Sequence, residues 1–153
     1  MKPAEVKAIV IKKVDDMVMY ANEVNDTFSV DALHSFRIEF RIIRSFINFV
    51  YLQRSDKAMK MPEKCKELYR IVSLLSESLG SMEAKQSQSA NTEDADKIIN
   101  KAKREWKAIY SESILLKLKK RLEDYDYSKI NPDLMNNFFR NVASAILRAE
   151  NEI

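Results

Sequence analysis

The sequence predicts an all-α fold, an antiparallel helical bundle of about five helices, and three observations carry that expectation. Glycine occurs once (Gly80) and proline three times (Pro3, Pro62, Pro132) in 153 residues, too few sharp-turning positions for a sheet-rich chain. Apolar residues recur at helical spacing through most of the chain, and no segment reads convincingly as a strand. Capping residues and short polar stretches separate these runs, as expected of helices joined by short connections to antiparallel neighbours. A chain of this length hides roughly two-thirds of its unfolded surface and is expected to form one domain over residues 1–153.

The first helix is expected from Pro3 to about Asn25, with Pro3 in its first turn and Val6, Ile9, Val10, Met17, Met19 and Tyr20 near helical spacing. Ser29 is the expected N-cap of a second helix running to about Gln53, and residues 55–62 form a connector. A third helix, about Glu63 to Leu79, carries Leu68, Ile71, Val72 and Leu75, and Gly80 is placed to end it in a left-handed cap. Residues 81–93 are polar and weakly periodic; the third helix would alternatively resume through Ala84. From Asp94 to about Tyr125 the spacing of Ile98, Ala102, Ile109, Leu116 and Leu122 predicts a single helix, the longest in the chain. Asn131-Pro132-Asp133 is a strong start signal for a last helix carrying Leu134, Phe138, Val142 and Ile146.

Composition limits the classes of function. Hydrophobic residues are 46% and charged residues 32% of the chain, which excludes a disordered tail. No stretch approaches the ~18 to 20 consecutive apolar residues of a membrane span. The lone Cys65 cannot form an internal disulfide, and the amino terminus lacks the basic start and apolar run of a signal peptide. A cytoplasmic protein is expected. Residues 1–90 carry 14 basic and 12 acidic side chains, and residues 91–153 carry 12 and 11. With charge so balanced, any affinity for anions must be local.

Such a local feature lies on the second helix. At about 100° per residue, with His34 at zero, Arg37, Arg41 and Arg44 fall near 300°, 340° and 280°, so all four share an arc of about 80°, and Asn48 joins it one turn later. Leu33, Phe36, Ile38, Phe40, Ile43, Phe46, Ile47, Phe49 and Val50 occupy the rest of the circumference, interrupted by Glu39 pointing away from the arginines. The plain alternative is that the stripe is merely the solvated face of the helix. Solvated faces usually interleave acids with bases at i and i+4, whereas here Arg37 stacks on Arg41 and Arg41 on Arg44 with no acid between. Like charges at that spacing repel, so an anion is expected to sit there. Arginine's planar fork makes paired bonds to phosphate oxygens, and a row of three covers about 10 Å, a length suited to several linked phosphates. His34 can donate a further hydrogen bond; the alternative is that it serves the fold as a core or capping residue near Asp31.

At these residues the chain resembles the CHAD family, the conserved-histidine α-helical domain, whose signature helix reads roughly His-x-x-Arg-hydrophobic-x-x-Arg-Arg-x-Arg. The segment Leu33-His34-Ser35-Phe36-Arg37-Ile38-Glu39-Phe40-Arg41-Ile42-Ile43-Arg44 matches at the histidine and at the arginines three, seven and ten positions later; Ile42 stands in place of the second adjacent arginine. The resemblance covers roughly residues 5–85, including a preceding helix and a following one ending in Leu79-Gly80. It implies binding of inorganic polyphosphate without catalysis. After Leu-Gly the family carries an Arg-Asp pair; here Glu83 and Ala84 stand, and Lys85 is the nearest basic candidate. Family domains are longer, with two similar halves, and here the signature recurs only faintly as Asn137-x-x-Arg140 with Arg148 beyond it. A homodimer would supply the missing half.

The expected polyphosphate-binding set is therefore His34, Arg37, Arg41, Arg44 and Lys85, together with Arg70, which stands on the helix that should neighbour the second. Lys101 and Arg104, with Lys97, form a possible opposite wall, or else a solvated face partnered by Asp94, Asp96 and Glu105; Arg140 is a further candidate. No Gly-rich phosphate cradle and no Cys/His metal spacing is present, so neither an enzyme nor a cofactor is expected. The competing function is a helical protein-interaction module whose partner brings acidic groups to the stripe. Nucleic acid ranks below both, because few aromatics are placed for stacking.

Overall fold

The computed structural model describes residues 2–54, 59–85 and 92–151, and all regular structure among them is helical. Helix α1 (Pro3–Thr27) begins on Pro3 and buries Val6, Val10, Val14, Met17, Val18, Ala21 and Val24, a stripe advancing three or four residues at a time. It stops because Phe28 adopts a left-handed backbone (φ 49°), from which its N–H donates to the Val24 carbonyl at 2.8 Å. That conformation is costly for a residue with a Cβ. Packing offsets the cost, since the Phe28 ring lies on the core with the Lys103 and Lys107 ammonium groups 5.3 and 5.6 Å from its centroid.

Helix α2 (Val30–Arg54) follows at once, capped as expected by Ser29, whose hydroxyl accepts from the Ala32 N–H at 3.1 Å. Such a cap stabilises a helix by about 1 kcal/mol. Helix α2 is the central rod: Leu33, Phe36, Phe40, Ile43, Phe46, Ile47 and Val50 are buried in the main core, while Ile38 and Ile42 pack with Ile146 in a smaller cluster.

Helix α3 (Glu63–Lys85) runs straight through Gly80, so the left-handed cap expected there does not form. A glycine inside a helix costs about 1 kcal/mol relative to alanine, and the following Met82, Glu83 and Ala84 are good helix formers that carry the helix on. Of the expected polar segment, residues 86–91 lie outside the described residues.

The single long helix expected from Asp94 to Tyr125 is two: α4 (Thr92–Ile109) and α5 (Glu112–Asp124). Helix α4 buries Ile99, Ala102 and Trp106, whereas α5 buries Ile114, Leu115, Leu118 and Leu122, a stripe out of phase with the first. The break re-aims the chain so that α4 covers α3 while α5 covers α1. Ser111 takes an extended backbone at the start of α5, and the Tyr110 hydroxyl, donating to Asn22 Oδ1, fixes the corner to α1. Ile98 and Leu116, expected in the core, are therefore 44% and 46% exposed.

A turn of 3₁₀ helix (Tyr127–Lys129) leads to α6 (Pro132–Asn137), capped as expected by Asn131, whose side chain accepts from the Asp133 N–H at 2.9 Å. A π turn (Phe138–Val142) joins α6 to α7 (Ala143–Asn151). The wider π turn lets the adjacent Phe138 and Phe139 both reach Phe46, at ring separations of 6.0 and 6.4 Å. Among the described residues no helix is long and apolar enough to cross a membrane.

Candidate functional site

The basic row occupies the part of α2 left between two neighbours. Ile38 and Ile42, one edge of the arc, meet Ile146 of α7; Phe40, at the other edge, stacks on Tyr69 of α3 with ring centroids 4.4 Å apart. His34, Arg37, Arg41 and Arg44 lie between these contacts and are all half-buried, while Asn48 is exposed. The core residues on both flanks thus hold the row at the mouth of a seam.

Two contacts set the register of that seam. Arg37 Nη1 donates to Ser76 Oγ at 3.2 Å, and the Arg44 guanidinium lies 5.0 Å from the Tyr69 centroid and 5.6 Å from that of Phe40. Numbers rising along α2 pair with numbers falling along α3, so the two helices run in opposite directions. Tyr69, Ser73 and Ser76 share an arc of about 60° on α3. The row of guanidinium groups is therefore set against a row of hydroxyl-bearing residues.

The electrostatics of this seam are uneven. Neither Arg37 nor Arg44 has a carboxylate partner among the described residues: Arg37 is held by one neutral hydroxyl and Arg44 by two aromatic faces. Arg37 Nε and Ser73 Oγ are buried with no hydrogen-bond partner among the described residues, and such orphaned polar groups normally find water or a ligand. His34 and Arg41 each have a partner within the protein.

On the other side of α2, Glu39 does point away from the arginines, and its Oε2 lies 3.5 Å from Lys13 Nζ of α1. Burial pushes the Glu39 carboxyl above the usual carboxylate range, and the Lys13 charge beside it works in the opposite direction. Glu39 therefore does not neutralise the row.

The other expected residues fall elsewhere. Arg70 is one position beyond Tyr69, about 100° around α3, where its guanidinium binds Glu67 at 3.1 Å and Glu105 of α4 at 2.9 Å. Those hydrogen bonds, to Glu105 foremost, hold the Arg70 pKa above its usual value. Lys101 and Arg104 are exposed on the face of α4 opposite its buried Ile99, Ala102 and Trp106. Arg140 is exposed on the π turn, and Lys85 ends α3 with a side chain outside the described residues. Sequence reasoning missed the α3 wall. Its signal was the i, i+4, i+7 spacing of Tyr69, Ser73 and Ser76 beside the buried stripe of Leu68, Val72 and Leu75.

Two other chemistries have little footing among the described residues. No group of three or more His, Cys, Asp or Glu side chains is gathered to hold a metal ion. The buried Cys65 donates to the Ile114 carbonyl at 3.7 Å, and burial pushes its thiol up to about 11, so little reactive thiolate forms at neutral pH. Comparison with known proteins identifies no relative: no family model, no curated protein and no solved structure matches this chain.

Proposed function

We propose that this protein is a non-catalytic binder of inorganic polyphosphate or a closely similar linear polyanion, held along the α2–α3 seam by Arg37 and Arg44, with His34 and Arg41 beside them. The resemblance of residues 33–44 to the CHAD signature belongs to the same proposal. The observation that carries it is the pair of half-buried arginines, Arg37 and Arg44, with no acid partner among the described residues and a row of hydroxyl-bearing residues opposite. Hydroxyls leave guanidinium charge in place while supplying donors that an anionic oxygen accepts. Rings hold Arg44 by its face and leave its N–H edges for a ligand.

The test is titration calorimetry of the whole chain with long-chain polyphosphate at several salt concentrations. Binding is expected to weaken steeply as salt rises, because each phosphate neutralised releases counterions. Arg37→Ala and Arg44→Ala each lose a charge-assisted contact and are expected to weaken binding by about tenfold or more. Absence of both heat and thermal shift with the wild-type protein overturns the reading.

An acidic protein partner is the second reading. It is favoured by Leu52, which is 80% exposed and falls at the same angle on α2 as His34, five turns along. Such a partner would remain bound at high salt and be indifferent to polyphosphate.

A further inference from the structure

The seam does not end at Arg44. Continuing the register set by Arg37 with Ser76 and by Arg44 with Tyr69 brings Asn48 of α2 opposite Cys65, the residue before Lys66 of α3, and Asn48 and Lys66 both line an open cleft of about 300 Å³ at that end of the seam. Ile47, Tyr51, Lys60 and Glu63 line it as well. The two helical faces agree with this placement. Asn48 lies within the arc of the basic row, and Lys66 falls within about 80° of Ser76, on the same side of α3 as Tyr69 and Ser73. The cleft thus lies at the Arg44 end of the basic row, on the same side of both helices.

The charge in the cleft favours an anion. Among the described residues, Lys60 and Lys66 line it against one acid, Glu63. Glu63 binds Lys66 at 3.2 Å, but both side chains are exposed, 88% and 53% respectively. An ion pair so open to water contributes little and exchanges readily for a stronger anionic partner. Lys60 has no carboxylate partner among the described residues, and its backbone carbonyl accepts from Arg121 Nη1 at 3.1 Å, which ties its main chain to α5. Asn48 adds an amide donor between the lysines and Arg44. From His34 to Asn48 the helix rises about 21 Å, twice the reach of the three arginines alone.

We propose that this cleft, with Lys60, Lys66 and Asn48, is a second subsite for the same linear polyanion, engaged only by chains long enough to run past Arg44. The inference rests on the reading of the arginine row as a polyphosphate site, and it adds a selectivity for chain length. A long chain neutralises both arginines and lysines, whereas tripolyphosphate fits within the arginine segment.

The test compares tripolyphosphate and long-chain polyphosphate on the wild-type protein, the double variant Lys60→Gln/Lys66→Gln and Arg37→Ala. The double variant is expected to weaken long-chain binding roughly tenfold and to lower the salt slope by about two, one for each charge removed. Tripolyphosphate affinity is expected to stay within about twofold of wild type. Arg37→Ala is expected to weaken both ligands, which reports on the arginine row separately. Both lysines are exposed, so a thermal melt matching wild type is expected. Unchanged long-chain binding in the double variant, or an equal loss for both ligands, overturns the subsite while leaving the arginine row standing. Failure of the wild-type protein to bind either ligand overturns both.

Discussion

Glu39 and Arg44 stand on the same helix, about 140° apart, and the fold treats their charges differently. On the α1 side, the buried Glu39 carboxylate is met by the Lys13 ammonium at 3.5 Å, charge against charge. On the α3 side, Arg44 is met by the rings of Phe40 and Tyr69, and Arg37 by the Ser76 hydroxyl. The first arrangement sets an opposite charge beside the carboxylate, although Glu39 Oε2 makes no hydrogen bond among the described residues, and taking the Lys13 charge away would leave a buried carboxylate unpaired. The second holds Arg37 and Arg44 in position without cancelling them among the described residues. Charge that serves only the fold tends to be compensated within it, so the uncancelled side of α2 is where a ligand is to be sought.

The comparison is broken most forcefully at Tyr69, the residue that orients Arg44 without neutralising it. Tyr69→Ala removes a half-buried ring that stacks on Phe40 and supports the Arg44 guanidinium. A loss of about 2 to 3 kcal/mol in unfolding free energy is expected, less than for a fully buried aromatic. Polyphosphate binding should weaken as well, because Arg44 is then free to sample unproductive directions. Tyr69→Phe, which keeps the face but not the hydroxyl, is expected to restore most of the stability in a urea melt. If Tyr69→Ala left affinity unchanged, the ring would be a packing element alone.

A smaller effect is expected at Glu39. Burial raises its pKa in the folded protein, so between the ordinary carboxylate value and that raised value the native state binds more protons than the unfolded chain. Stability contributed by this group is therefore greatest at low pH, falls as pH rises across that interval, and is level above it. Glu39→Gln should remove this fall and leave the protein at least as stable as wild type at neutral pH, because the raised pKa means that burial of the charge outweighs its pairing with the partly exposed Lys13. Denaturant melts at several pH values read both effects. A variant with the same pH profile as wild type would mean that Glu39 is solvated like a surface carboxylate.

How much of this was legible in the sequence depends on whether the signal was local. Caps were: Ser29 and Asn131 hold the N-termini expected of them because a cap is a property of three or four consecutive residues. The shared face of His34, Arg37, Arg41 and Arg44 followed from helical geometry alone, and so did the opposite heading of Glu39. The corner at Tyr110 and Ser111 was not legible, because the break depends on where Asn22 of α1 lies and on two apolar stripes whose phases differ by a fraction of a turn. Gly80 misled for a related reason: a local stop signal was overridden by a longer helix-favouring context. The partner row on α3 required knowing the register between two helices, which a single sequence does not encode at any one position.

Arg70 provides the finest discrimination between cancelled and uncancelled charge, because it neighbours Tyr69 in sequence yet is bound by two acids, Glu67 and Glu105. Both are exposed or partly exposed ion pairs, screened by water and salt, so Arg70→Ala is expected to cost no more than about 1 kcal/mol of stability, shrinking as salt is raised. Its affinity for polyphosphate is expected to stay within about twofold of wild type, against the tenfold loss expected for Arg44→Ala. The two arginines have the same formal charge and are carried by adjacent helices, so nearly all of that difference must come from what each already touches. Equal losses in the two variants, read side by side in one salt series, would show that the binding responds to total positive charge and not to the seam between α2 and α3.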